Sequence, residues 1–189
     1  MTVKPSHELI VCASLVDNPV NLGGLCRTCE GFGVTQLVVS DLAVRANWAF
    51  RKVSASGHRW QAMAACAVSQ LPAWLVAQQQ QGYEVVALTV GPSAQLLNRY
   101  AFAQRTVLLL GRELTGIPVE LLRICDRAIT IPQYGQIESL NVQTAAAIAI
   151  YEYIRQYRAG GGGGAEEAGG AGEAGCGDGG TQRWGRLGR

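Results

Sequence analysis

The sequence predicts an α/β domain of three layers built on a parallel sheet of about five or six strands. Three observations lead there. The run ELIVCASL (Glu8 to Leu15), a helical spacing from Asn21 to Phe32 and the run QLVVSD (Gln36 to Asp41) make a βαβ unit, which demands a parallel pair. Three further apolar runs, YEVVALTV, TVLLLG and RAITIP, read as strands. The small and apolar residues from Val142 to Arg158 repeat at helical spacing and close the domain.

In chain order, the first strand ends at the turn DNPVN. Leu22, Leu25, Cys26, Cys29 and Phe32 then mark a helix that Asn18 or Asn21 caps and Gly31 or Gly33 stops. Asn47 to Val53 reads as a short helix, SASGHRW as a loop, and Ala62 to Val68 fits strand or helix equally. Leu71 to Gln80 reads as a helix that Gly82 ends. Strands follow over Tyr83 to Val90, Thr106 to Gly111 and Arg127 to Pro132. Residues 1–7 form a lead, 8–158 the domain, and 159–189 a glycine-rich tail. That tail holds 14 of the 24 glycines and has too little apolar surface to offset the entropy of ordering it.

Composition narrows the function. Residues 1 to 158 carry 13 Lys plus Arg against 10 Asp plus Glu, and 11 of the 13 are Arg. That is too small an excess for a strong nucleic-acid footprint, although arginine's planar fork suits phosphate. The N-terminus does not read as a signal peptide and no run is long enough to span a membrane. Six cysteines without a disulfide-scaffold spacing suggest reduced thiols, hence a cytoplasmic or nuclear setting. Cys26 and Cys29 form one C-x-x-C, with two small hydrophobes on one helix face as its simplest reading. No metal-ligand cluster is recognisable. Neither a phosphate loop of the G-x-x-x-x-G-K-[ST] type, nor G-x-G-x-x-G, nor G-x-S-x-G occurs, which disfavours NTPases, dinucleotide folds and serine hydrolases.

The polar residues that remain lie in three places. NLGGLCRT contains Asn21 and Arg27; an arginine in an apolar helix needs a phosphate, a carboxylate or a route for its head to solvent. GRELTGIP puts Glu113 just past a buried strand, where open α/β sheets bind ligands. GQIESLNV puts Ser139 and Asn141 before a helix; one helix cap accounts for one of them.

N-L-G-G-L-C-R-T, G-x-E-x-x-G-I-P and S-L-N-V, in that order, resemble the three motifs of the SpoU (TrmH) family of RNA 2′-O-ribose methyltransferases, its tRNA guanosine-18 branch above all. The likeness covers Glu8 to Tyr157. It implies a C-terminal trefoil knot around S-adenosyl-L-methionine, an RNA substrate with tRNA favoured, and a homodimer; it implies neither DNA nor a membrane as partner. It assigns catalysis to Asn21, Arg27, Glu113, Ser139 and Asn141, with Glu113 orienting Arg27 and Arg27 activating the ribose hydroxyl. A guanidinium rarely gives up its proton, so Arg27 holding phosphate and ribose oxygens is the physically simpler role. Thr89, Val90, Gly91, Leu110, Gly111, Ile131 and Leu140 would hold the cofactor. Arg112 replaces a small polar residue, and Glu138 adds a carboxylate beside Ser139; both bear on substrate choice. Ribosomal RNA methylation and a non-catalytic RNA-binding or dimerisation module are the alternatives. The face Ala145, Ile148 and Ala149 fits either a subunit contact or the core.

Overall fold

The computed structural model describes residues 8–91, 94–137 and 139–159, with side chains as far as Tyr157. The expectations for the N-terminal lead and for the tail beyond Ala159 lie outside these residues, as does Glu138. Seven strands form one sheet in the order β3-β2-β1-β6-β4-β7-β5, and every pairing in it is parallel. The strands are β1 (Glu8–Cys12), β2 (Gln36–Val39), β3 (Met63–Ala65), β4 (Glu84–Leu88), β5 (Gln95–Leu96), β6 (Arg105–Leu110) and β7 (Arg127–Thr130).

The pleat sorts the strand residues onto two faces. Leu9, Val11, Val86, Leu108 and Ile129 pack with helices α1 (Pro19–Phe32), α2 (Trp48–Val53) and α5 (Val142–Ala159). Ile10, Cys12, Val85, Ala87, Val107 and Leu109 pack on the other side with α3 (Leu71–Gln80) and α4 (Val119–Leu122). The strands are therefore buried on both faces, which is why they read as continuous apolar runs rather than alternating ones.

Local chemistry sets the helix ends. The Asn18 side chain accepts from the Val20 N–H at 2.9 Å and Pro19 takes the first helical position, so α1 starts before Asn21. Gly33 (φ 67°) ends it in the left-handed conformation that glycine adopts without strain. Within α1, Gly23 and Gly24 permit close packing. A Cβ on Gly23 would lie 2.7 Å from the Phe50 carbonyl oxygen, and one on Gly24 would lie 2.8 Å from the Gln143 side chain. The glycine pair of the first motif thus serves helix packing, with α2 on one side and α5 on the other.

Helix α5 is tied down near its C-terminal end. Tyr153 Oη donates to the Gln104 carbonyl at 2.6 Å. Gln156 donates to the Tyr100 carbonyl at 2.8 Å and accepts from the Phe102 N–H at 3.0 Å. Ala146 and Ala149 are in the core, whereas Ile148 and Tyr151 are exposed, so the small-residue face divides between core and surface. The ambiguous stretch Ala62 to Val68 contributes the edge strand β3. Two elements went unpredicted, β5 and α4, with two and four residues, too few to show a period. No helix among the described residues is long and apolar enough to cross a membrane.

Candidate active site

The chain segments leaving β1, β4, β6 and β7 all emerge at the C-terminal edge of the parallel sheet, and the candidate residues gather there. The loop after β6 is a tight one. Arg112 N–H donates to the Gly116 carbonyl at 3.0 Å, and Gly116 N–H returns the bond at 3.1 Å, so Glu113, Leu114 and Thr115 project as a pinned tip. A Cβ on Gly111 would sit 2.7 Å from the Gly116 carbonyl carbon and 2.9 Å from the Ile117 nitrogen. Only glycine allows the loop to close so near its own base. Gly116 (φ 67°) supplies the matching left-handed turn.

From that tip a chain of amides crosses to both helices. Asn21 Nδ2 donates to Glu113 Oε1 at 2.9 Å, and Asn141 Nδ2 donates to Asn21 Oδ1 at 3.1 Å. Asn141 Oδ1 in turn accepts from the Gln143 N–H at 2.9 Å and the Thr144 N–H at 3.4 Å, capping α5. The cap fixes the polarity of the whole chain. With its oxygen committed to α5, Asn141 can offer Asn21 only its NH₂, which leaves the Asn21 NH₂ for the carboxylate. Residues 92 and 120 positions apart in sequence are thereby locked in one orientation.

Beside this chain lies an open cleft of about 670 Å³. Of the residues expected to hold a cofactor, Thr89, Val90, Leu110, Gly111, Ile131 and Leu140 line it; Gly91, next to Val90, does not. Ser139 and Asn141 stand on its wall, as do Arg112, Glu113 and, unforeseen, Gln133 and Ile117. Gln133 follows Pro132 in a segment with no periodicity, so nothing in the sequence singled it out.

Arg27 lies elsewhere. It is exposed and borders a second, shallower recess with Gly24, Thr28, Val53 and Gln143. Asn21 and Arg27 sit in one helix six residues apart, so they point about 120° away from each other around its axis. The expected orientation of Arg27 by Glu113 is not what the side chains do: Glu113 bonds Asn21, and Arg27 has no hydrogen-bond or ion-pair partner among the described residues. The first turn of α5 joins the two regions, with Asn141 and Val142 on the cleft and Gln143 on the Arg27 recess.

Thiol chemistry is absent from the site. Cys26 and Cys29 are free and buried in the core with Leu22 and Leu25. Burial pushes the Cys26 thiol up to about 11 and raises Cys29 further, so both are protonated at neutral pH. No group of three or more metal-ligating side chains occurs among the described residues.

Residues 8–151 match the model of the SpoU rRNA Methylase family. A tRNA (guanosine(18)-2′-O)-methyltransferase of Mus musculus is 42% identical over 153 residues, which is 81% of this chain but 10% of the mouse protein. The chain therefore spans a small fraction of that relative. The crystal structure of the Aquifex aeolicus TrmH/SpoU tRNA modifying enzyme superposes with a TM-score of 0.73 at 30% identity, covering 84% of this chain and 79% of that one. An AdoMet-bound rRNA methyltransferase from Sinorhizobium meliloti superposes with a TM-score of 0.70 at 25% identity, covering 82% of this chain and 58% of that one.

Proposed function

The chain belongs to the SpoU rRNA methylase family, and from that premise we propose that it is an RNA ribose 2′-O-methyltransferase using S-adenosylmethionine, with guanosine 18 of tRNA as its target. The observation that carries the reading is the Glu113–Asn21–Asn141 chain at the edge of the cleft. It orders three motif side chains, drawn from the loop after β6, from α1 and from the start of α5, at one edge of the cleft. The mouse relative's name favours tRNA over ribosomal RNA, and mapping the modified nucleotide separates the two.

The cleft fits the cofactor. Its volume lies in the range of about 300–1,000 Å³ typical of small-molecule sites. Leu110, Ile131 and Leu140 offer apolar walls, and the close-packed Gly111 backbone leaves main-chain groups within reach of a nucleoside. When bound, S-adenosylmethionine supplies an electrophilic methyl group. The protein's task is then to place a ribose 2′-hydroxyl and to manage its proton. Asn21 and Asn141, held by their shared bond, present fixed hydrogen-bonding groups; Ser139 adds a hydroxyl on the same wall. Arg27, with its charge unpaired, binds an RNA phosphate and brings the ribose to the cleft across the first turn of α5.

Two structural features complete the proposal. Residues 111–118 and 131–137 with α5 form a trefoil knot, supported by the return of α5 from the β7 side of the sheet to pack on α1. The enzyme works as a homodimer, supported by exposed Val20 on α1 and exposed Ile148 and Tyr151 on α5. The decisive experiment incubates the purified protein with methyl-labelled S-adenosylmethionine and unmodified tRNA transcript. A labelled 2′-O-methyl nucleotide is expected, and Arg27→Ala should abolish it. Absence of transfer to tRNA and to ribosomal RNA alike would sink the reading.

A further inference from the structure

Between Asp41 and Glu84 the chain contains no carboxylate at all, yet it holds Arg45, Arg51, Lys52 and Arg59. Four positive charges in this stretch exceed the net charge of +2 for the entire protein. The fold gathers them. Arg45 Nη2 donates to the His58 carbonyl at 2.9 Å, joining the turn after β2 to the turn after α2. Arg51, Arg59 and Arg45 all act electrostatically on the His58 ring, whose pKa burial and these charges lower, and His58 Nδ1 bonds Ser54 Oγ at 2.7 Å. Two carboxylates border the surface: Glu30 of α1, close to Gly57, and Asp41, whose Oδ1 accepts from the Ala43 N–H. Neither forms an ion pair with these cations.

Two tryptophans stand within this basic surface, Trp48 at 73% and Trp60 at 70% exposure. Lys52 Nζ lies 5.9 Å from the Trp48 ring centre, which holds the ring beside a cation without covering it. Open indole faces among cations offer a stacking surface for unpaired bases, with cation–π support from neighbouring arginines. The surface also abuts the site. Gly57 packs against the Arg27 backbone, 3.4 Å from where its Cβ would be, and Val53 lines the Arg27 recess.

We propose that Arg45, Arg51, Lys52 and Arg59, with Trp48 and Trp60, receive an unpaired segment of the RNA substrate: the cations hold its phosphates and the indoles stack on its bases. The proposal rests on the methyltransferase reading for the identity of the ligand. Cations that track a backbone, interleaved with open aromatic faces, are the chemistry of single-stranded nucleic acid and not of duplex, whose bases are already stacked. The surface leads such a strand directly to Arg27.

The test uses the 189-residue chain, a fluorescently labelled unmodified tRNA transcript, a uridine oligonucleotide and an RNA duplex, with binding read by anisotropy over a salt series. Arg51→Gln with Arg59→Gln should raise the Kd for all three RNAs by about tenfold. It should also flatten the salt dependence by about 0.7–0.9 for each phosphate that the variant no longer neutralises. Trp60→Ala should weaken the transcript and the oligonucleotide by roughly fivefold or more and spare the duplex, and Trp60→Phe should restore them. S-adenosylmethionine affinity, measured by calorimetry, should hold in every variant, because none of these residues lines the cleft. Unchanged affinities and salt slopes, or a parallel loss of cofactor binding, would overturn the assignment. Loss of RNA binding in a protein that methylates no RNA would leave this surface standing while the catalytic reading fails. Normal methylation with unaltered affinity in the variants would do the reverse.

Discussion

Asn21 is the residue on which the site geometry turns, because it is bonded on both sides. Asn21→Ala removes the bonds to Glu113 and Asn141, yet both lie on the surface, where a hydrogen bond adds only about 1 kcal/mol to stability. Asn141→Ala removes one of those bonds and the cap of α5, a further loss of about 1 kcal/mol. Each variant thus loses about 2 kcal/mol, so the Tm should fall by about 4–8 °C in both, while methyl transfer drops more than tenfold in both. Glu113→Gln retains a side-chain oxygen for Asn21 to bond, so its Tm should match the wild type. If its transfer rate also matches, the charge of Glu113 has no part in the reaction and its role is that of a hydrogen-bond acceptor. Calorimetric scans beside single-turnover methylation assays make the comparison.

The two motif glycines separate packing from propensity at the level of elements. Glycine to alanine in a helix interior gains about 1 kcal/mol from reduced chain entropy. At Gly24 the new Cβ meets the Gln143 side chain, which can swing away, so Gly24→Ala should be near neutral in stability. At Gly23 it meets the Phe50 carbonyl oxygen at 2.7 Å and Val53 Cβ at 3.0 Å, fixed parts of α2. Gly23→Ala should then be net destabilising by about 1–3 kcal/mol, seen as a lower urea midpoint with an unchanged slope. Equal effects at the two positions would contradict the close α1–α2 packing. These glycines also show how much was legible in the sequence. Strands β1, β2, β4, β6 and β7 and helices α1, α3 and α5 were plain, because burial on both sheet faces leaves unbroken apolar runs and helices leave a period. The elements β5 and α4 were too short to carry either signal. At the site, polarity beside glycine pointed to Asn21, Glu113 and Asn141, and the structure places them in one hydrogen-bonded chain. Sequence spacing alone could not say that Asn18 would start α1 one turn earlier. That shift puts Asn21 inside the helix and turns Arg27 away from Glu113.

For the molecule as a whole, the buried thiols and phenols set an alkaline limit on stability. Burial pushes Cys12 from 9.0 to about 11 and Cys125 from 9.0 to about 12, raises Cys29 and Cys66, and with carboxylate neighbours raises Tyr83 and Tyr100. A group whose folded pKa is raised gives stability that is fully present below its unfolded value and lost as pH climbs towards the folded one. Below pH 9 the thiols are protonated in both states, so they add no pH dependence. Between pH 9 and pH 11 the unfolded chain releases the Cys12 proton and the folded chain keeps it, so by pH 10 the fold loses on the order of 1 kcal/mol at that one group. Because the groups sit on both faces of the sheet, their losses add and cooperative unfolding follows. The urea midpoint should be flat from pH 7 to pH 8.5 and fall steeply from pH 9 to pH 10.5. Cys12→Ala should shallow that fall while lowering the neutral-pH midpoint slightly, since it trades a titrating group for a small cavity. A midpoint that holds steady to pH 10.5 would mean these thiols ionise as readily in the native state as in water, which their burial in a close-packed core forbids.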